Sequence, residues 1–154
     1  MGFFVGYLLI KIKMKESVGI LIIAKNSGKF LLLHRVNRPI VWSTLTGKME
    51  KGENPMETIK REIWEEIGVN PNKIQNIREI GLTPNNHHIM VGFVDNEFSI
   101  PNLKLDENDD YGWFDESNLP KPMHPKWPET FQYVNLFLNL KESLKIEINK
   151  LLNE

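Results

Sequence analysis

"GKMEKGENPMETIKREIWEEIGV", residues 47–69, carries its own start and stop signals for a helix. Asn54 is a good N-cap, Pro55 fits the first helical position, and Glu57 stands third, where a capping box puts an acid. Gly68 falls where a left-handed turn closes a helix. The helix should run from about 55 to 67. At about 100° per residue, Met56, Ile59, Ile63 and Ile67 share one apolar sector, which predicts packing on a sheet. Glu62, Glu65 and Glu66 fall beside that sector, at intervals of three and four. Like charges so spaced repel by roughly a few tenths of a kcal/mol per pair on an exposed helix, and by more near a dry surface. Water and counter-ions relieve this strain on a solvated face. In a site, a hard divalent cation with oxygen ligands does the same.

Outward from this helix the pattern is mixed. "SVGILIIAK" (17–25) and "KFLLLHR" (29–35) flank the turn "NSG" and predict a hairpin of buried strands. "IREIGL" (77–82), "HHIMVGFVD" (87–95) and "YGWFD" (111–115) are further strand candidates. "NLKLDENDD" (102–110) between the last two is a polar loop rich in carboxylates. From Pro128, the residues Phe131, Val134, Phe137, Leu140, Leu144, Ile148 and Leu151 recur at three and four, giving one long helix or two abutting ones. The fold class is α+β.

The 154 residues suffice for one compact domain with a real core. A net charge of −1 with scattered Lys and Arg lacks the basic stripe of a nucleic-acid binder, which points away from nucleic acid as a partner. The absence of cysteine rules out disulfides and thiol catalysis and suits a reducing, cytoplasmic setting. Gly2 to Ile10 are almost wholly apolar, yet no positive charge precedes them and no cleavage pattern follows. The run also falls far short of the ~20 residues that span a bilayer. Residues 1–13 are therefore read as an apolar extension or edge strand, and 14–154 as a single domain. That strand would be available to a homodimer, and no membrane partner is expected.

The spacing Gly47, five residues, Glu53, seven residues, Arg61-Glu62-Ile63, Trp64, Glu65-Glu66, Ile67, Gly68-Val69 resembles the signature of the Nudix hydrolases, G-x5-E-x7-R-E-U-x-E-E-x-G-U, at every defined position. The resemblance implies an α/β/α sandwich with a mixed sheet. It also implies an enzyme that hydrolyses a nucleoside diphosphate linked to another moiety, with Mg²⁺ or Mn²⁺. Carried onto this chain, it makes Glu62, Glu65 and Glu66 the metal ligands and catalytic carboxylates, with Glu62 in some members closer to the general base. It makes Glu53 and Arg61 a structural ion pair, and Gly47 the residue that lets the loop turn tightly. Members often draw one more acid from a loop before a Trp. Here Glu107, six before Trp113, is the choice, with Asp109 and Asp110 as competitors.

The implied substrate is a small nucleotide such as ADP-ribose, a dinucleoside polyphosphate or a nucleotide sugar. The alternatives are a MutT-like pyrophosphohydrolase of nucleoside triphosphates, oxidised ones included, and a nucleotide-binding module without catalysis. "LTGKME" departs from the common "PGG", with Leu45 and Thr46 in place of the Pro and first Gly. Pro84, fifteen residues after Val69, matches a proline of ADP-ribose-cleaving members and equally suits a plain turn in "LTPNN". Of His87 and His88, one strand points only one inward. Trp42, Phe93, Trp113 and Trp127 could stack a base, although core packing accounts for most such residues.

Overall fold

The computed structural model describes residues 15–153, so the apolar stretch 1–13 lies outside the described residues. Among the described residues, seven strands and two α-helices follow in the order β1 (Ser17–Ala24), β2 (Phe30–Arg35), β3 (Trp42–Ser43), β4 (Leu45–Lys48), α1 (Pro55–Ile67), β5 (Gln75–Leu82), β6 (His87–Val94), β7 (Asn108–Phe114) and α2 (Trp127–Leu152). The strands form one mixed sheet. β1 lies parallel to β6, in register from Ser17↔His87 to Ala24↔Val94. Its other edge is shared: β4 pairs with Ser17 to Ile20, and β2 joins at Ile23. This position explains why "SVGILIIA" is apolar at nearly every residue, since both faces of the strand are covered.

Alternation then assigns the faces. Val18, Ile20, Ile22 and Ala24 join Leu31, Leu33, Leu45, Met90 and Val94 in a core that receives Ile59, Ile63 and Ile67 from α1. Those three isoleucines are fully buried. Burial of such a side chain contributes about 1.5–3 kcal/mol, several times the repulsion between neighbouring glutamates. Packing therefore fixes how the helix is rotated, and the acidic side chains go where that rotation carries them. The caps stand as the spacing predicts: Asn54 accepts the Glu57 N–H at 2.8 Å, and Gly68 closes the helix at φ +65° with its N–H on the Trp64 carbonyl.

Three differences from the sequence reading have physical reasons. β4 is a strand that the sequence pattern does not announce, because "LTGK" lacks apolar alternation; main-chain bonds to β1 make it one. β7 starts at Asn108 rather than 111, since a bulge lets Asn108 pair with Arg35. The C-terminal periodicity yields one helix, in a compact unit of its own from Pro125 onward. Within that unit Val134 is buried, whereas Leu140, Leu144, Ile148 and Leu151 are exposed, so the repeat foretold helix without foretelling burial.

The two adjacent histidines point to opposite faces of β6. His87 Nδ1 meets Ser17 Oγ at 2.7 Å. His88 is buried between two carboxylates, with Nε2 2.7 Å from Glu16 Oε2 and Nδ1 on Glu79 Oε1. Burial is the strongest single influence and opposes the charge, but the two carboxylates together outweigh it and raise the pKa above 6.5. A raised histidine pKa stabilises the fold fully below the unfolded value of ~6.5 and progressively less as pH rises through the folded value. The melting temperature of the wild type should accordingly exceed that of His88→Gln at pH 6, with the gap closing as pH rises. A gap independent of pH would show that the imidazole is not charged there.

Candidate active site

The last turn of α1 is tied to the loop before β7 by a main-chain bond, Lys104 N–H to Glu66 C=O at 3.2 Å. The Lys104 carbonyl in turn accepts the Glu107 and Asn108 N–H groups at 3.0 and 2.9 Å. Glu107 is fixed on its other side by Val36 N–H, which donates to its carbonyl at 3.0 Å. These bonds bring Glu107 to the helix face that carries Glu62 and Glu66. One carboxylate oxygen from each of the three lies within 4.8 Å of the other two. Glu62 and Glu66 are buried and Glu107 is half-buried.

Three carboxylates this close cannot all stay ionised without a cation. Burial, above all, pushes Glu66 up to about 9, helped by its hydrogen bond to Glu107 and by the Glu62 and Glu107 charges. Glu107 moves the opposite way, chiefly because it receives that hydrogen bond from Glu66. Burial also raises Glu62, against the pull of Arg61. The donor set consists of hard oxygens of one sign, two of them from buried side chains. It fits a hard divalent cation, which would replace the shared proton as the source of positive charge.

Arg61 organises the other side of the group. Its Nε and Nη2 grip both oxygens of Glu53 at 2.8 and 2.9 Å, and Nη2 reaches the Lys48 carbonyl at 3.1 Å. Nη1 donates to Glu62 Oε1 at 2.8 Å and Glu65 Oε2 at 3.1 Å. Glu53 is held further by the Glu50 N–H at 2.8 Å and the Thr58 hydroxyl at 3.2 Å. The Arg61 hydrogen bonds, first among several, bring its carboxyl down to about 2. A planar, bidentate pair of this kind sets the direction of Nη1, and through it the carboxylate of Glu62.

Gly47 serves a different purpose from the tight turn expected of it. It lies within β4, and the left-handed glycines of the described chain are Gly28, Gly52 and Gly68. A Cβ at Gly47 would stand 2.2 Å from Glu62 Cδ. The missing side chain is the space that Glu62 occupies.

The remaining candidates are placed as follows. Glu65 is exposed, turned to Arg61, and is not one of the three converging acids. Asp109 contacts His34 Nδ1 at 2.5 Å, and Asp110 accepts its neighbour's Tyr111 N–H at 2.8 Å, so Glu107 is the loop acid that joins the group. Neither His87 nor His88 belongs to it. Pro84 sits in a turn closed by Asn86 N–H on the Thr83 carbonyl. Nothing in the spacing singles out Thr58 or Lys104, because their roles depend on a loop folding back onto the helix.

Comparison with known proteins agrees with this picture. The chain is 32% identical over 133 residues to the NAD-capped RNA hydrolase NudC of Actinobacillus succinogenes, a match covering 78% of this chain and 48% of that protein. It is 36% identical over 62 residues to the dihydroneopterin triphosphate diphosphatase of Haemophilus influenzae, covering 40% of this chain and 39% of that one. The chain thus spans less than half the length of these curated relatives. Among solved structures, the Ap4A hydrolase of C. elegans superposes with a TM-score of 0.66 at 19% identity, covering 83% of this chain and 99% of that one. A MutT NUDIX hydrolase from Burkholderia pseudomallei gives 0.60 at 23% identity, covering 78% and 97%. At such identities the likeness shows the fold. The family assignment rests instead on residues 13–134, which match the NUDIX domain: the chain belongs to that family.

Proposed function

We propose that this chain is a pyrophosphohydrolase that cleaves the diphosphate link of a small nucleoside diphosphate derivative, with Mg²⁺ or Mn²⁺ held by Glu62, Glu66 and Glu107. The observation that carries this reading is the convergence of those three carboxylates within 4.8 Å beside a helix whose rotation is fixed by a buried core. Glu65 contributes from the exposed side of the same helix face. The cation, when bound, supplies positive charge to offset that of the diphosphate and makes an adjacent water more acidic. The chain's own groups do the rest. Arg61 and Glu53 hold Glu62 in direction, Gly47 leaves it room, and a carboxylate of the group accepts the proton of the attacking water. Burial raises the proton affinity of Glu62, which suits it to that task.

The relatives are named for substrates with one shared element, a phosphoanhydride attached to a nucleoside or pterin. A net charge of −1 favours a small nucleotide over a long nucleic acid. The second reading, pyrophosphate release from a triphosphate, is favoured by the similarity to the dihydroneopterin triphosphate enzyme. A non-catalytic binding module fits less well, because every signature glutamate is present. No helix among the described residues is long and apolar enough to cross a membrane, and a cytoplasmic location belongs to this proposal.

The test is a screen with Mg²⁺ and with Mn²⁺ over ADP-ribose, NAD, diadenosine tetraphosphate, a nucleotide sugar, dihydroneopterin triphosphate and 8-oxo-dGTP, with products identified. A nucleoside monophosphate plus a phosphorylated remainder supports the first reading, and inorganic pyrophosphate the second. Absence of any metal-dependent product overturns both.

A further inference from the structure

The carboxylate group solves one problem and creates another. It attracts a cation, yet its charge repels the phosphates that the same site must receive. A positively charged side chain beside the bound cation would help to hold them. Arg61 is committed: Nε, Nη1 and Nη2 already serve Glu53, Glu62, Glu65 and the Lys48 carbonyl, and moving it would release Glu62.

Lys104 is placed differently. Its main chain is pinned by its N–H on Glu66 and by two amides on its own carbonyl. Its side chain is more than a third exposed, with Nζ 3.1 Å from Glu107 Oε1. The anchored backbone sets where the stem begins, and four carbons of free length let the ammonium swing. Glu107 occupies one of its three donors. In this position Lys104 is a stand-in for a cation, placed on one of the three converging acids.

We propose that Lys104 is a phosphate anchor held in reserve: it covers Glu107 in the metal-free protein, yields that carboxylate to the divalent ion, and then binds non-bridging oxygens of the substrate's diphosphate. This rests on the pyrophosphohydrolase reading given above. The exchange is energetically easy. An ion pair as exposed as Lys104–Glu107 is weak, whereas a divalent ion on three carboxylates is not. Lysine also suits the second task, because its ammonium binds phosphate as a mobile point charge.

The proposal predicts opposite signs for two affinities, which a structural role would not produce. Mn²⁺ alone is titrated into wild type, Lys104→Met and Lys104→Arg. The preformed Mn²⁺ complex of imidodiphosphate, which is not hydrolysed, is then titrated into the same proteins. Lys104→Met should bind Mn²⁺ roughly twofold to fivefold more tightly, because the competitor for an exposed carboxylate is gone. It should bind the imidodiphosphate complex at least about tenfold more weakly, the scale of a charge-assisted hydrogen bond. Lys104→Arg should stay near wild type in both. Unchanged or weaker Mn²⁺ binding by Lys104→Met, with its melting temperature preserved, would mean that Lys104 only props up Glu107. Unchanged binding of the complex would remove the phosphate anchor. Neither measurement needs turnover, so a failed substrate screen leaves this test standing.

Discussion

Turnover of Glu66→Gln should fall by about 10²–10³-fold, the scale of losing one charge-stabilising group at a reacting centre. The metal-free variant should melt no lower than wild type. Both parts follow from the same geometry. Glu66 is buried against Glu107 and Glu62 and, pushed up to about 9, carries a proton at neutral pH. Glutamine copies that neutral form in shape and keeps an N–H to offer Glu107. The fold therefore loses nothing while the cation is absent. What is lost is the negative charge that appears when a divalent ion displaces the proton. Measurement of kcat/KM with Mg²⁺, beside the melting temperature in chelator, checks the two halves. Near-normal turnover would mean that the ion is held elsewhere.

Gly47→Ala should cost about 10²-fold in turnover, as expected when a reacting group is displaced by an ångström or so. The added Cβ would stand 2.2 Å from Glu62 Cδ and 2.3 Å from its Cγ, far inside contact distance. The strand has no reason to move. Gly47 is paired with Val18 in β4 and its backbone lies outside the left-handed region, so alanine suits the main chain. The carboxylate yields instead, leaving Arg61 and the metal group together. Melting temperature should change little. In a Glu62→Ala background the same substitution should cost almost nothing, because the group it displaces is already gone. An additive loss in that double variant would show that Gly47 acts through some other contact.

These two residues also mark how far a sequence can be read. α1 was legible almost to the residue, because its caps, its proline and its isoleucine stripe are local signals that agree with one another. β1, β2, β5 and β6 were legible for the same reason. The acidic group was legible in part. Glu62 and Glu66 follow from helical spacing, but spacing alone does not separate Glu65 from them, since all three lie within one wide sector. What separates them is the loop through Glu107, which meets only the inner pair; Arg61 Nη1 serves Glu62 and Glu65 alike. That meeting depends on a main-chain bond between Lys104 and Glu66, a contact with no period to announce it. Gly47 was legible as a glycine position and misread in its reason, because a close approach between strand and helix exists only in three dimensions.

The pairing of β1 with β6 has a consequence for biogenesis. Ser17 and His87 are neighbours in space but 70 positions apart along the chain. Closing so long a loop is entropically costly and defers the central pairing until late in folding. Glu107 lies further along still. On the ribosome, the helix bearing Glu62 and Glu66 emerges after β1 and β4, the strands it packs on, and well before the acid that completes the trio. During that interval a divalent ion held as proposed would meet only two of its three carboxylates, so ion capture would be a final stamp on the finished architecture, with no part in guiding the nascent polypeptide toward it.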